Sequence, residues 1–227
     1  MRVLVTGGFG FAASHLVKQL LQQEQEVVSI IRRAGSGQEN LWPSDQLRIE
    51  PVDLLDRPGL IRIFRDTRPD RIYHLAAKSS PSESMKDPLH TYDVNFQGTL
   101  NVFSAWQELQ LDCRILYVSS AEVYGQPCPE WLPLREEAPL RPVTPYGGSK
   151  AAAEMLAVQF FEGYGLPIVR VRPFNHTGPG QSSNYVCSSF ARQVAEIDAV
   201  LREPIVAVGN LKVLRDFSDV RDIVRGY

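Results

Sequence analysis

VLVTGGFGFAASHL, residues 3–16, decides the fold. A short β-branched run ends in glycines, and an amphipathic pattern follows at once. A strand that turns sharply into a helix needs glycine where backbone must approach a ligand, and the helix N-terminus then offers N–H groups to a pyrophosphate. Gly7 and Gly10 hold the spacing T-G-x-x-G, and Ala13 takes the third small position. The alternative is a mere tight turn. Position after the first strand and ahead of a helix is what favours dinucleotide binding.

The same rhythm runs outward from this motif. Strands are predicted over 2–6, 26–31, 48–52, 71–77, 114–120 and 168–173. Most are nearly all apolar, as strands buried on both faces of a parallel sheet must be. Helical patterns lie between them, over 11–23, 56–67 and 87–109, with another opening at TPYGGSK. The alternation predicts an α/β fold, a Rossmann-type doubly wound parallel sheet with helices on both faces. Residues 127–145 interrupt it with six prolines in nineteen positions, an ordered surface loop. Beyond residue 173 come the loop RPFNHTGPGQ (172–181), a helix near 186–202, strands near 205–208 and 213–217, and a helix from Asp219. Two regions are expected: 1–173 binds NAD(P), and 174–227 is part of a substrate-binding region, incomplete because its last helix reads as cut.

Composition narrows the function classes. Apolar residues make up 44% and charged residues 22%, which excludes a disordered chain and fits a globular one. A net charge of −2 offers no footprint for nucleic acid or an anionic membrane. The glycine turn arrives too early for a signal peptide, and no apolar run reaches about 18 residues. Three cysteines, Cys113, Cys128 and Cys187, at wide spacing argue against a disulfide framework or zinc site and for a reducing compartment. A cytoplasmic protein is expected.

The end of the second strand distinguishes the cofactors. An acidic residue there binds a ribose 2′-hydroxyl, whereas arginine accommodates a 2′-phosphate. Ile31 occupies the acidic position in EVVSIIRRAGS, and Arg32 and Arg33 follow. NADP(H) is therefore favoured and NAD(H) is the alternative; solvated surface charge would be the bland explanation of both arginines.

Chemistry is carried further along. Tyr146 and Lys150 stand four apart, on one face of a helix. A lysine ammonium near a phenol favours the phenolate, so Tyr146 can exchange a proton near neutral pH. YVSSAEVYG brings Ser119, Ser120 and Glu122 to the carboxyl edge of the sheet, where open α/β folds bind ligands. Glu122 reads equally as a second acid or base and as a structural carboxylate.

TGGFGFAA, HLAAKSS (74–80), VNFQGTLNV (94–102), VSSAEVYG and YGGSK together resemble the extended short-chain dehydrogenase/reductases across essentially the whole chain. The resemblance implies a catalytic triad of Ser120, Tyr146 and Lys150, with Lys150 also on the nicotinamide ribose. It implies cofactor contacts from Gly7, Phe9, Gly10 and Phe11, from Asp53 and Leu54 near the adenine, and from Leu75, Ala76 and Ala77. Asn95 would support Lys150 through water, and Pro173 would also contact the cofactor. Ala13 departs from the glycine of many members. Such enzymes often dimerise through the helices of 87–109 and 145–163, where Ala151, Ala152 and Ala153 allow close packing, so a homodimer is expected.

RPFNHTGPGQ and VGNLKVLRDFSDVRDIV (208–224) resemble, within that family, the GDP-4-keto-6-deoxymannose reductases that form GDP-rhamnose. That implies Asn175 and Arg215 near a substrate diphosphate, with Arg192 a further candidate and His176 and Thr177 holding the loop. Alternatives are a GDP-mannose 4,6-dehydratase, a nucleotide-sugar 4-epimerase, or an NADP-binding sensor without catalysis. Ala121, where some dehydratases carry aspartate, argues against dehydration without excluding it. No metal site is expected.

Overall fold

RVLVT becomes β1 (Arg2–Thr6), with Val3, Leu4 and Val5 fully buried in the computed structural model, which describes residues 1–32 and 44–227. Arg33 lies outside the described residues. The other strands of the main sheet are β2 (Glu26–Ile31), β3 (Leu47–Pro51), β4 (Arg71–His74), β5 (Arg114–Val118) and β6 (Ile168–Val171). They run parallel in the order β3-β2-β1-β4-β5-β6. The order reverses between β1 and β4, and the carboxyl ends of strands flanking such a reversal form a crevice open to ligands.

Local signals set where the helices start. α1 (Phe11–Gln22) begins directly after Gly10. α2 (Arg57–Thr67) starts where the Asp56 carboxylate accepts the Gly59 N–H, with proline in its first turn. α6 (Pro145–Tyr164) starts where the Thr144 hydroxyl accepts the Gly147 N–H, again with proline in its first turn, and ends at Gly165 with φ +70°. One apolar core, including Leu4, Ile72, Phe103, Ile115, Tyr117 and Phe160, fills the space between the sheet and α2, α5 (Gly98–Leu109) and α6.

The stretch 87–109 departs from the single helix expected. Ser80 and Asp87 cap two short helices, α3 (Pro81–Lys86) and α4 (Pro88–Tyr92). A π-helical turn, Asp93–Gln97, then leads into α5 (Gly98–Leu109). Successive Ser-Pro and Asp-Pro pairs restart the helix, because proline suits a first turn and the preceding side chain caps it.

Met1–Pro173 forms one compact unit and Phe174–Tyr227 another. The second holds β7 (Asn175–Thr177) paired in parallel with β8 (Phe217–Asp219), plus α7 (Val186–Asp198) and α8 (Val220–Gly226). The strands expected near 205–208 and 213–217 do not form; residues 205–216 carry no regular pairing, and the strand falls on Phe217–Asp219 instead. β7 in turn lies inside a stretch read as loop. Short, half-exposed strands lack the apolar runs that mark buried ones. Among the described residues, no helix is long and apolar enough to cross a membrane.

Candidate active site

The glycine turn sits against the loop after β4. Gly7 has φ +73°, and a Cβ there would stand 2.8 Å from the Ala76 Cα. Its N–H bonds the Ile30 carbonyl at 2.8 Å, and Gly10 N–H bonds the Gly7 carbonyl at 2.7 Å. No described side chain caps the N-terminus of α1, and its first turn lacks acidic residues. A tight, side-chain-free turn before a helix start of this kind suits a pyrophosphate. Phe9 and Phe11 flank Gly10. Ala76 N–H donates to the Thr6 hydroxyl at 3.1 Å, which fixes the segment Leu75–Ala77 beside the turn.

Arg32 is exposed at the end of β2. Past β3, the Asp53 carboxylate accepts the Leu55 N–H at 2.9 Å, while the Asn101 amide holds the Leu54 carbonyl at 2.9 Å. Gly98 lets α5 approach so closely that a Cβ would meet the Leu54 Cβ at 2.9 Å. Asp53 and Leu54 therefore stand on a braced turn at the carboxyl end of β3.

Ser120 opens a tight turn, Ala121–Tyr124, at the exit of β5, and its hydroxyl accepts the Glu122 N–H at 3.2 Å. The start of α6 packs on this turn: a Cβ on Gly147 would come within 2.6 Å of the Glu122 carbonyl. Glycine at 147 thus brings Tyr146 to the Ser120–Glu122 segment. Tyr146 is buried and its N–H donates to the Ser84 hydroxyl at 3.1 Å. Lys150, 3% exposed, donates to the Val118 carbonyl at 2.6 Å, with the Tyr117 ring 5.0 Å away. Burial pushes the Lys150 ammonium down to about 7, against an upward pull from Glu154. Such a lysine changes charge near neutrality, which suits it to a phenol that exchanges a proton.

Asn95 sits in the π-helical turn with 1% exposure. Its amide bonds both the N–H (2.8 Å) and the carbonyl (3.1 Å) of Lys78, and it donates to the Ser149 hydroxyl at 2.9 Å. The structure thus places Asn95 on the residue beside Lys150. Behind it lies a directed chain. The Thr99 hydroxyl donates to the Asn95 carbonyl at 2.6 Å, so it accepts from His74 Nε2 at 2.9 Å. His74 Nδ1 then accepts from the Thr6 hydroxyl at 2.7 Å. Burial, and next the charge of Lys150, push His74 down to about 3, so it stays neutral.

Four groups here escaped sequence reading: Ser84, His74, Glu154 and Arg172. Glu154 continues the four-residue spacing of Tyr146 and Lys150, which was the available signal. Its buried carboxylate accepts from the Ser119 hydroxyl at 2.7 Å and from Arg172 Nη2 at 2.6 Å. Pro173, at the end of this unit, accepts the Ala121 N–H at 3.0 Å.

Asn175, Arg192 and Arg215 belong to the second unit. Asn175 is exposed on β7. Arg192 pairs with Glu196 at 2.6 Å along α7, and exposed Arg215 donates to the neighbouring Leu214 carbonyl at 3.1 Å. The polar loop residues bond one another: Thr177 donates to the Gln181 side chain at 2.8 Å, and Gln181 donates back to the His176 carbonyl at 3.0 Å. Among the described residues, no cluster of His, Cys, Asp and Glu gathers to hold a metal ion.

Residues 4–227 match the family described as GDP-mannose 4,6 dehydratase. The GDP-6-deoxy-D-mannose reductase of Pseudomonas aeruginosa is 39% identical over 175 residues, 77% of this chain and 57% of that protein. The human GDP-mannose 4,6 dehydratase is 33% identical over 97% of this chain and 62% of its own length. The structure of RMD from Pseudomonas aeruginosa complexed with NADPH superposes with a TM-score of 0.82 at 35% identity, covering 100% of this chain and 70% of that one. The chain thus spans about three fifths of the length of these two curated relatives.

Proposed function

The chain belongs to the GDP-mannose 4,6 dehydratase family of extended short-chain dehydrogenase/reductases, and from that premise we propose that it is an NADPH-dependent nucleotide-sugar reductase. Its substrate in this reading is GDP-4-keto-6-deoxy-D-mannose, reduced at the C4 ketone to GDP-D-rhamnose. One observation carries the chemistry: Lys150 is buried one helical turn from buried Tyr146, beside the exit of β5 that presents Ser120. The choice of sugar rests on the reductase relative at 39% identity.

The residues present suit the cofactor. Gly7, Phe9, Gly10 and Phe11 would hold the pyrophosphate, Asp53 and Leu54 the adenine, and Arg32 a 2′-phosphate. Leu75, Ala76, Ala77, Asn95 and Pro173 would line its path to the nicotinamide. When bound, NADPH supplies the hydride for the ketone. Tyr146 gives its phenolic proton to the sugar C4 oxygen as negative charge develops there. Ser120 donates a hydrogen bond to the same oxygen, and Lys150 steadies the tyrosinate and holds the nicotinamide ribose. Asn175, Arg192 and Arg215 are the proposed diphosphate contacts, because amide and guanidinium donors match phosphate oxygens.

The proposal includes a homodimer in the cytoplasm. Leu89 on α4 and Phe161 on α6 are exposed apolar side chains on the helices expected to pair, and the three cysteines are free. Incubation with NADPH and GDP-4-keto-6-deoxymannose tests the reaction: NADPH should be consumed, GDP-rhamnose formed, and turnover abolished in Tyr146→Phe while NADPH binding persists. Near-wild-type turnover in that variant would sink the assignment. A second reading is favoured by the dehydratase relative, which matches 97% of the chain, and by Glu122 on the turn packed against Gly147. Water loss from GDP-mannose without NADPH consumption selects that reading. Cofactor binding with neither reaction selects a sensor.

A further inference from the structure

Tyr146, Lys150 and Glu154 lie four residues apart on α6, on one face of the helix. Glu154 is 1% exposed, and its carboxylate is fully engaged. Ser119 donates to it at 2.7 Å. Arg172 Nε donates to both its oxygens at 3.0 and 3.1 Å, and Arg172 Nη2 donates to one at 2.6 Å. Arg170 stands 3.6 Å away. Arg172 reaches onward to the Tyr124 hydroxyl and the Glu136 carbonyl, each at 2.8 Å. One carboxylate therefore ties the helix of Tyr146 to the exits of β5 and β6, and its partner extends the tie to the proline-rich loop.

A buried ion pair is a poor source of stability, since apolar side chains of like volume often serve as well. Its location suggests another use. Ser119 immediately precedes Ser120, and Lys150 lies one turn from Glu154. We infer that Glu154 is a positioning residue of the Tyr146–Lys150 site, pinning Ser119 so that Ser120 is presented and setting an anion one helical turn from Lys150. The role rests on the proposed reductase reading only in naming Tyr146 and Lys150 as the reacting pair.

The other groups around Lys150 do not supply that anion. β5 offers the Tyr117 ring, whose phenol burial holds well above its ordinary range. β4 offers neutral His74. α6 offers Tyr146 besides Glu154, and β6 and its exit bring the cations Arg170 and Arg172. Burial pushes Lys150 down, and Glu154 opposes it.

The test follows the Lys150 side chain directly. The chain has five lysines, so carbon-13-labelled lysine gives a resolvable titration by NMR, with Lys150 assigned from Lys150→Met. In Glu154→Gln the Lys150 midpoint should fall by about one pH unit or more, as loss of a neighbouring opposite charge requires. Glu154→Asp should recover part of that fall. Glu154→Gln leaves half-buried Arg172 without its partner and can fail to fold, so Glu154→Gln/Arg172→Met is made alongside it, removing both charges together, with Arg172→Met alone as its reference. An unchanged Lys150 midpoint in folded Glu154→Gln, or in the double variant measured against Arg172→Met alone, overturns the inference. This readout needs neither cofactor nor turnover, so its failure stands apart from failure of the reductase reading, which Tyr146→Phe decides.

Discussion

The ammonium of Lys150 donates to the Val118 carbonyl at 2.6 Å, tucked between α6 and the last residue of β5. A main-chain carbonyl satisfies one of its three donors but brings no full charge. The side chain is held at the cost of desolvation, and that cost is what brings its titration near neutrality. A site that must pass a proton gains from such a lysine, and the fold loses stability by holding it.

That exchange predicts a stability change with a definite sign. Lys150 titrates at about 7 in the folded chain and at its ordinary 10.5 when unfolded. Between those values the unfolded state binds the additional proton, so the contribution of Lys150 to stability rises with pH, by at most ~1.4 kcal/mol per pH unit. Lys150→Met removes the group. Its advantage over the wild type in urea unfolding should be largest near about pH 6 and shrink towards about pH 9. An advantage that grows with pH would contradict the assignment.

His74 predicts the companion effect in acid. Its folded value of about 3 lies below the ordinary 6.5, so stability is fully present above about 6.5 and lost as pH falls towards 3. His74→Asn breaks the chain between Thr6 and Thr99 and should cost about 2–3 kcal/mol at neutral pH. Because only the wild type carries the acid penalty, that deficit should narrow between about pH 6.5 and pH 4. A constant deficit would show that His74 titrates alike in the folded and unfolded chain.

Legibility in the sequence followed the physics of burial. The central strands β1, β2, β4 and β5 stood out because parallel strands covered on both faces are mostly apolar, while the half-exposed edge strands β3 and β6 carry charged residues and fitted the rhythm by position. The glycine turn stood out because Gly7 needs positive φ against Ala76. Tyr146, Lys150 and Ser120 could be picked out by spacing and position along the chain. Glu154 and Arg172 could not, because a buried ion pair is defined by two residues 18 apart whose types alone suggest surface. The same holds for Ser84, whose hydroxyl meets Tyr146 across 62 residues. The π-helical turn also stayed hidden, since nothing in DVNFQ departs from an α-helical pattern.

Arg32 predicts cofactor preference. It is exposed at the end of β2, where no carboxylate precedes it, so its contribution is a charge-assisted contact rather than a buried one. Arg32→Asp should weaken NADPH binding by about tenfold and leave NADH binding unchanged or tighter, as charge-assisted bonds of this kind allow. Fluorescence titration with both cofactors measures it. Equal losses for the two would remove Arg32 from the 2′-phosphate.

Leu89 and Phe161 predict the assembly. They are 80% and 53% exposed on α4 and α6. Placing a carboxylate at the centre of an apolar interface costs several-fold more than any surface change elsewhere. Leu89→Glu/Phe161→Glu should run as a monomer by light scattering where the wild type runs as a dimer, with circular dichroism unchanged. A wild-type monomer, or a dimer in the variant, would refute pairing through this face.

Gly7 gives the sharpest separation of strain from function. Two glycines of the first unit, Gly7 and Gly165, have similar φ, +73° and +70°, but different surroundings. A Cβ at 7 would meet the Ala76 backbone at 2.8 Å, while one at 165 meets nothing within 4 Å. Gly165→Ala should therefore cost only the left-handed backbone strain, about 1 kcal/mol, and leave NADPH affinity alone. Gly7→Ala adds a clash with backbone that cannot swing aside, so β1 and the loop after β4 must part where the pyrophosphate would lie. NADPH affinity should fall by more than about tenfold, and stability by more than in Gly165→Ala. Equal effects of the two variants on affinity would show that the cofactor does not lie against this turn.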